Sequence, residues 1–357
     1  MRGRRRFFKE YKGASSGSSP FLLGKKLPDL LPRRGAGEVP VQNLYLSRDK
    51  DKLLNLFLLC DINKSDTSKG VHMDNRYRID EDCRLLREIR RLSQTELADK
   101  LGIGLATVNR LEKMQTVPAE DSLEKFYAYA YGNSVRLNRI KEQFYREELG
   151  QDEKLLFHGA KTVINGKIRP DVSRQNNDFG QGFYMGESFR QAALFVANFG
   201  TSCVYAVKFR DKGLIKASYS VDTEWMLTVA AFRGKLQGRV SEKQQERIRA
   251  KADRADYIIA PIADNRMYQI IDSFIDGEIT DEQCRHALAA TDLGMQYVIK
   301  TDKAAKCAEV LERCYLCVPE KNDYTAERRA DLKASEDKVR AARIKYRGKG
   351  KYIDEIL

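Results

Sequence analysis

Long apolar runs are missing. The longest in the first 72 residues is Leu-Phe-Leu-Leu-Cys, from Leu56 to Cys60, far short of the roughly 20 residues a membrane-spanning helix needs. No apolar stretch follows the basic start at Arg6, so a secretory leader is not expected either. Histidine is scarce, three in 357 residues, and the seven cysteines are irregularly spaced. An odd, unpatterned set argues against a disulfide framework and for a reducing cytoplasm. Cys314-x-x-Cys317 is the one tight pair. With only Cys284, His286 and Cys307 nearby, no metal site is expected, and Cys307 and Cys314 read as the buried stripe of a helix. No internal repeat is visible.

What is present in excess is positive charge, a net +13. Residues 1–72 hold 15 Lys and Arg against 7 Asp and Glu, a surplus of 8, which leaves 5 for everything after. That segment is a scatter of Gly, Ser and Pro without a period of 2 or 3.6, so it reads as disordered or as a non-native extension. At Met73 the texture becomes dense and periodic, which makes Met73 a candidate start. The 42% hydrophobic content is ample for two domains.

From Glu81, Leu85, Leu86, Ile89 and Leu92 recur with helical spacing. Ser93 and Glu96 then form a capping box, and Gly102 can end the second helix. A third helix over Leu105–Met114 and a fourth over Glu120–Tyr131 complete a helix-turn-helix within 73–134, and a basic linker helix fills 135–152. The run L-R-E-I-R-R-L-S-Q-T-E-L-A-D-K-L-G-I-G-L-A-T-V-N-R-L-E, Leu86 to Glu112, resembles the phage-repressor Cro/C1 (xenobiotic-response-element) family. By that resemblance Gln94 meets phosphate, Leu105, Ala106, Asn109 and Arg110 face the major groove, Arg87 pairs with Glu112, and the protein is a dimer on DNA. Leu105 and Ala106 can touch a thymine methyl but cannot read a base by hydrogen bonds. A module that docks protein is the alternative.

Beyond Glu153 the pattern turns to strands. K-L-L-F-H-G-A delivers His158 at a strand end. N-N-D-F-G-Q-G-F-Y-M-G-E-S follows, with a helix over Phe189–Phe199 capped by Ser188 and Gln191. S-C-V-Y-A-V-K-F, G-L-I-K-A-S-Y and A-D-Y-I-I-A-P-I are strands, D-T-E-W-M-L-T-V-A-A-F-R is a helix, M-Q-Y-V-I-K-T is the last strand and Lys303–Leu316 a helix. Residues 319–357 form a charged helix and tail, read as a solvated cover. Gly180, Gly182 and Gly186 are spaced one residue too far for a dinucleotide fingerprint. The turn therefore presents Tyr184, or is a hairpin with core aromatics.

The order F-H-G, D-F-G-Q-G-F-Y and a late strand opening with Gln296 resembles the ADP-ribosyltransferase superfamily. Within it, the chain is similar to bacterial toxin-like domains of unknown function (family 3990), over 153–318. The resemblance implies an α+β protein: a small all-α helix-turn-helix domain followed by an ADP-ribosyltransferase-like split β-sheet with helices. It implies NAD as cosubstrate and a mono-ADP-ribosyltransferase that is a toxin or phage-defence effector, with an antitoxin protein as a further partner. Catalytic roles pass to His158, Tyr184 and Gln296, and cofactor contacts to His158, Gly159, Asp178, Gly180, Gly182, Phe183 and Tyr184. His158 would bond the adenine-side ribose, the Gly159 backbone would contact nicotinamide, and Tyr184 would stack on its ring. Gln296 stands where acidic members carry glutamate. It keeps the acceptor carbonyl and loses the charge, unless Asp178 or Glu224 supplies one. Asp178 either anchors the turn by bonding backbone amides or faces the ribose. The alternative function is a transcription regulator whose second domain senses NAD or ADP-ribose without catalysis.

Overall fold

The computed structural model describes residues 77–114, 117–164, 166–263, 265–290 and 294–357, all within one unit spanning Lys52–Leu357. The expectations for residues 1–72 and for Met73 lie outside the described residues.

Among the described residues five helices come first: α1 (Ile79–Arg90), α2 (Gln94–Leu101), α3 (Leu105–Lys113), α4 (Glu120–Gly132) and α5 (Leu137–Glu148). Ser93 and Glu96 make the full capping box of α2, and Gly102 closes it in the left-handed region at φ 63°. In α1, Asp80, Glu81 and Asp82 occupy the first turn and Arg87 and Arg90 the last, so both ends oppose the helix dipole. Leu86, Leu97, Val108, Leu111 and Phe126 are buried among these helices, each contributing about 1.5–3 kcal/mol by leaving water.

The mixed sheet that follows comprises β1 (Glu153–Ala160), β2 (Phe183–Gly186), β3 (Cys203–Arg210), β4 (Lys216–Ser218), β5 (Tyr257–Pro261), β6 (Met295–Ile299) and β7 (Ala308–Cys314), ordered β4-β5-β6-β2-β1-β3-β7. β4 and β5 are parallel; the other pairings are antiparallel. Alternation along the strands sorts side chains onto two faces. On one, Ile258, Ala260 and Val298 pack with Trp225 of α7 (Thr223–Phe232) and Met267 and Phe274 of α9 (Asn265–Ile275). The other gathers Leu156, Phe183, Tyr205, Phe209, Tyr257 and Ile299. β1 and β2 share a single register pair, Phe157 with Gly186, so the sheet parts beyond it.

Residues Lys303–Leu316 are not the expected helix. They hold one short helix, α11 (Asp302–Ala305), and then strand β7, so β6 is not the last strand. Ala308, Val310, Glu312 and Cys314 are buried alternately with their neighbours. A glutamate on the buried side disguises that period-2 pattern. Cys314 is therefore buried on a strand, while Cys307 precedes it half-buried. Helix α6 (Phe189–Val196) begins with Ser188 accepting from the Gln191 amide, but the cap is not reciprocal. Gln191 accepts from the Glu187 amide at 2.7 Å and donates to the Met295 carbonyl at 3.1 Å, which ties α6 to β6. Helix α8 (Glu242–Asp253), opened by a Ser241–Gln244 capping box, went unread in the sequence because Ala252 is its one buried residue and no apolar stripe marks it.

After α10 (Asp281–Ala289), the 28-residue α12 (Val318–Lys345) lies across five other helices, α5 among them through Asn138 and Glu320. Tyr131 of α4 donates to Asp323 at 2.7 Å, and Arg190 of α6 pairs with Glu327. Arg266 of α9 donates to the Leu332 carbonyl at 2.7 Å. Gln283 of α10 donates to the Arg343 carbonyl at 2.8 Å.

A buried charge cluster joins the helical part to the sheet. Lys141 of α5, 1% exposed, lies 2.9 Å from both Asp82 of α1 and Glu312 of β7. Tyr127 also donates to Asp82, and Tyr145 to Glu312 at 3.1 Å. Burial pushes the Glu312 carboxyl up, but the Lys141 charge, hydrogen bonds from Lys141 and Cys314 and the Arg78 charge together hold it below the usual range. The Tyr127 and Tyr315 rings stack beside the cluster, 5.2 Å apart.

Candidate functional site

The glycine turn is held from both sides. Gly180 takes φ 71°, a conformation that glycine adopts without strain, and a Cβ on Gly182 would collide with Val298 and the Ile299 backbone. The half-buried Tyr184 donates its hydroxyl to the Gly180 carbonyl at 2.7 Å and accepts from the Phe179 amide at 3.2 Å. Lys300 donates to the Phe179 carbonyl and, at 2.7 Å, to that of Gln181; burial lowers its pKa. Tyr184 is thus presented on a turn that its own hydroxyl fastens.

Gln296 and Tyr184 lie on the same sheet face, since Gly186 registers with Gln296 and Tyr184 with Val298. Gln296 is buried and donates from Nε2 to Asp178 Oδ2 and to the Pro261 carbonyl, both at 2.9 Å. Asp178, also buried, collects two more partners: the Tyr268 hydroxyl of α9 and the Arg233 guanidinium at 3.2 Å. Burial and the Asp178 charge push the Tyr268 phenol up, so it stays a donor. Asp178 consequently bonds side chains rather than the backbone amides of its turn. Glu224 pairs with Lys251 at 2.6 Å, with both groups largely exposed.

His158 faces away from this pair. It alternates with Phe157 and Gly159, registers with Tyr205 and stacks on Phe183, ring centroids 4.2 Å apart. Its link to the other face runs through backbone: Nδ1 lies 2.6 Å from the Tyr184 carbonyl. A carbonyl only accepts, so Nδ1 carries the proton. Burial lowers the ring's pKa, which leaves Nε2 an acceptor. At Gly159 an added Cβ would strike the Ala192 carbonyl and Val196 of α6, so close strand–helix approach alone accounts for this glycine.

In the helical part, Leu105, Ala106 and Arg110 are exposed along α3, and Asn109 is half-buried. Arg110 lies back along its helix, donating to the Ala106 carbonyl at 3.3 Å and to Thr107 at 3.2 Å. Gln94 turns inward, donating to Glu112 at 2.7 Å, and the other oxygen of Glu112 takes Arg87 at 2.8 Å.

Residues 84–126 match the helix-turn-helix family model, and residues 155–310 match the model described as protein of unknown function (DUF3990). The chain joins a helix-turn-helix domain to a DUF3990 domain. No curated protein and no solved structure matches it. The glycine turn of the DUF3990 domain is legible in the sequence, whereas Arg233 and Tyr268 are not. Arg233 follows a helix end, and Tyr268 sits inside an ordinary amphipathic helix. No helix among the described residues is long and apolar enough to cross a membrane.

Proposed function

We propose that the DUF3990 domain is an NAD-dependent mono-ADP-ribosyltransferase, working in the cytoplasm as a toxin or phage-defence effector, and that the helix-turn-helix binds DNA through α3. The observation that carries the enzymatic half is the fixed amide of Gln296. Both its hydrogens are engaged, and its Oε1 accepts no hydrogen bond from a described residue. NAD supplies an activated ribose: the C1′–nicotinamide bond breaks, its electron pair leaves with nicotinamide, and C1′ takes an acceptor oxygen or nitrogen whose proton passes to solvent. Gln296 Oε1 is suited to accept a ribose hydroxyl. The Asp178 carboxylate behind it polarises the amide and restores part of the negative potential that a glutamine lacks. Tyr184 offers its ring to the leaving group, and His158, on the opposite sheet face, steadies the strand beneath it by holding the Tyr184 carbonyl through Nδ1.

Nicotinamide release from NAD, with and without cell extract, tests this reading. Release that falls with Tyr184→Ala and Gln296→Ala supports it. Saturable NAD binding without release points instead to a sensor, and no binding at all overturns both. For the DNA half, Arg110→Ala is expected to cost about 1–3 kcal/mol at a specific site, read by gel-shift titration.

A further inference from the structure

A concavity of about 960 Å³ lies between α9, α10 and the C-terminal half of α12. Arg266, Arg340, Arg343 and Arg347 line it with two acids, Glu278 and Glu336, and with Tyr352, a residue 44% exposed. From Lys338 to Lys351 the chain carries seven Lys and Arg and no Asp or Glu. The two halves of α12 use charge differently. Its N-terminal half is engaged, with Glu327 and Asp331 on Arg190. In the C-terminal stretch, Arg340, Arg343 and Arg347 make no ion pair among the described residues, although Glu336 stands one turn before Arg340. The backbone that carries them is fixed. Gln283 holds the Arg343 carbonyl, Asp281 exchanges hydrogen bonds with Lys351 at 2.9 and 2.8 Å, and Ile353 is buried.

We propose that this groove binds a single strand of nucleic acid through its phosphodiester backbone. Guanidinium groups match phosphate oxygens bidentately, three of them stand unpaired on one short stretch, and an exposed tyrosine among them provides a surface on which a base can stack. An ordinary solvated helix face pairs its arginines with the glutamates one turn away; this one does not. α9 contributes both to this groove and to the cluster around Asp178. Arg266, Gln269 and Ser273 line the groove, while Tyr268 reaches Asp178. The assignment does not depend on the NAD reading.

Fluorescence anisotropy of a labelled single-stranded oligonucleotide with the full chain tests it. The triple variant Arg340→Gln, Arg343→Gln, Arg347→Gln is expected to bind at least about tenfold more weakly at low salt. Its slope of log affinity against log salt should fall by about 2, as three lost phosphate contacts on a single strand give. Lys212→Gln, at an exposed lysine outside the groove lining, should leave both quantities unchanged. Arg340→Gln alone, at an exposed position, should lower the slope by about 0.7 and serves if the triple variant fails to fold by circular dichroism. Wild-type affinity in these variants overturns the proposal, as does competition by poly-glutamate equal to that of unlabelled oligonucleotide.

Discussion

Gln296 donates one amide hydrogen to Asp178 and the other to the Pro261 carbonyl, each over 2.9 Å. Flipping the amide would set its oxygen against both acceptors, so its orientation is fixed. Gln296→Glu therefore places one carboxylate against another, and one of the two must bind a proton at a raised pKa. A raised folded-state pKa leaves stability intact below the unfolded value and removes it as pH rises. The melting temperature of Gln296→Glu should match wild type near pH 4 and fall increasingly below it towards pH 8. Parallel curves would show that the two side chains do not meet.

Asp178→Asn retains shape and removes the charge. If the carboxylate polarises Gln296, kcat for nicotinamide release should fall by about 10²-fold with KM for NAD nearly unchanged. A purely structural role predicts the opposite, lost thermal stability with normal turnover in the protein that remains folded.

Lys141→Met leaves Asp82 and Glu312 facing each other without the cation between them. Breaking a buried pair in this way costs about 3–5 kcal/mol. Urea unfolding at pH 7 should show that loss, with partial recovery at pH 5 as the carboxyls take up protons. An unchanged midpoint would place the strength of this joint elsewhere.

Glu320 is buried at the start of α12, where Asn138 donates to it at 3.3 Å. Burial raises its carboxyl from 4.5 to about 7. Its contribution is intact below pH 4.5 and is lost as pH rises through 7. Asn138 Oδ1 has no partner among the described residues, and a neutral amide at 320 can donate to it. Glu320→Gln should flatten the decline in melting temperature between pH 6 and 8.5. An equal slope in both proteins would assign that decline to other groups, of which Glu81, also raised to about 7 by burial, is the first to test.

Local signals carried much of this fold into the sequence. The Ser93–Glu96 cap, Gly102 and the apolar spacing of α1 to α4 are short-range, so they are readable. Strand β7 was not, because Glu312 occupies a core position that only makes sense once Lys141, from 171 residues earlier, is beside it. The same limit applied to the site. Tyr184 and Gln296 carry motif signals, but the charge beside Gln296 is held by Arg233, just past the end of α7, and by Tyr268 of α9, which converge on Asp178. The face on which His158 emerges was likewise settled by strand register, which the motif F-H-G does not specify.

The joint around Lys141 governs how far one end of the protein can act from the other. Domains on a flexible linker meet a shared target at an effective concentration set by linker length. Here Asp82 of α1, Lys141 of α5 and Glu312 of β7 join the helical part to the sheet, with α5 packed between them rather than left as slack. Whatever α3 grips, the sheet is carried to one bearing and one distance from it. Lengthening a loop elsewhere would not extend that reach, and a target out of register with it would be missed however tightly the other end held on.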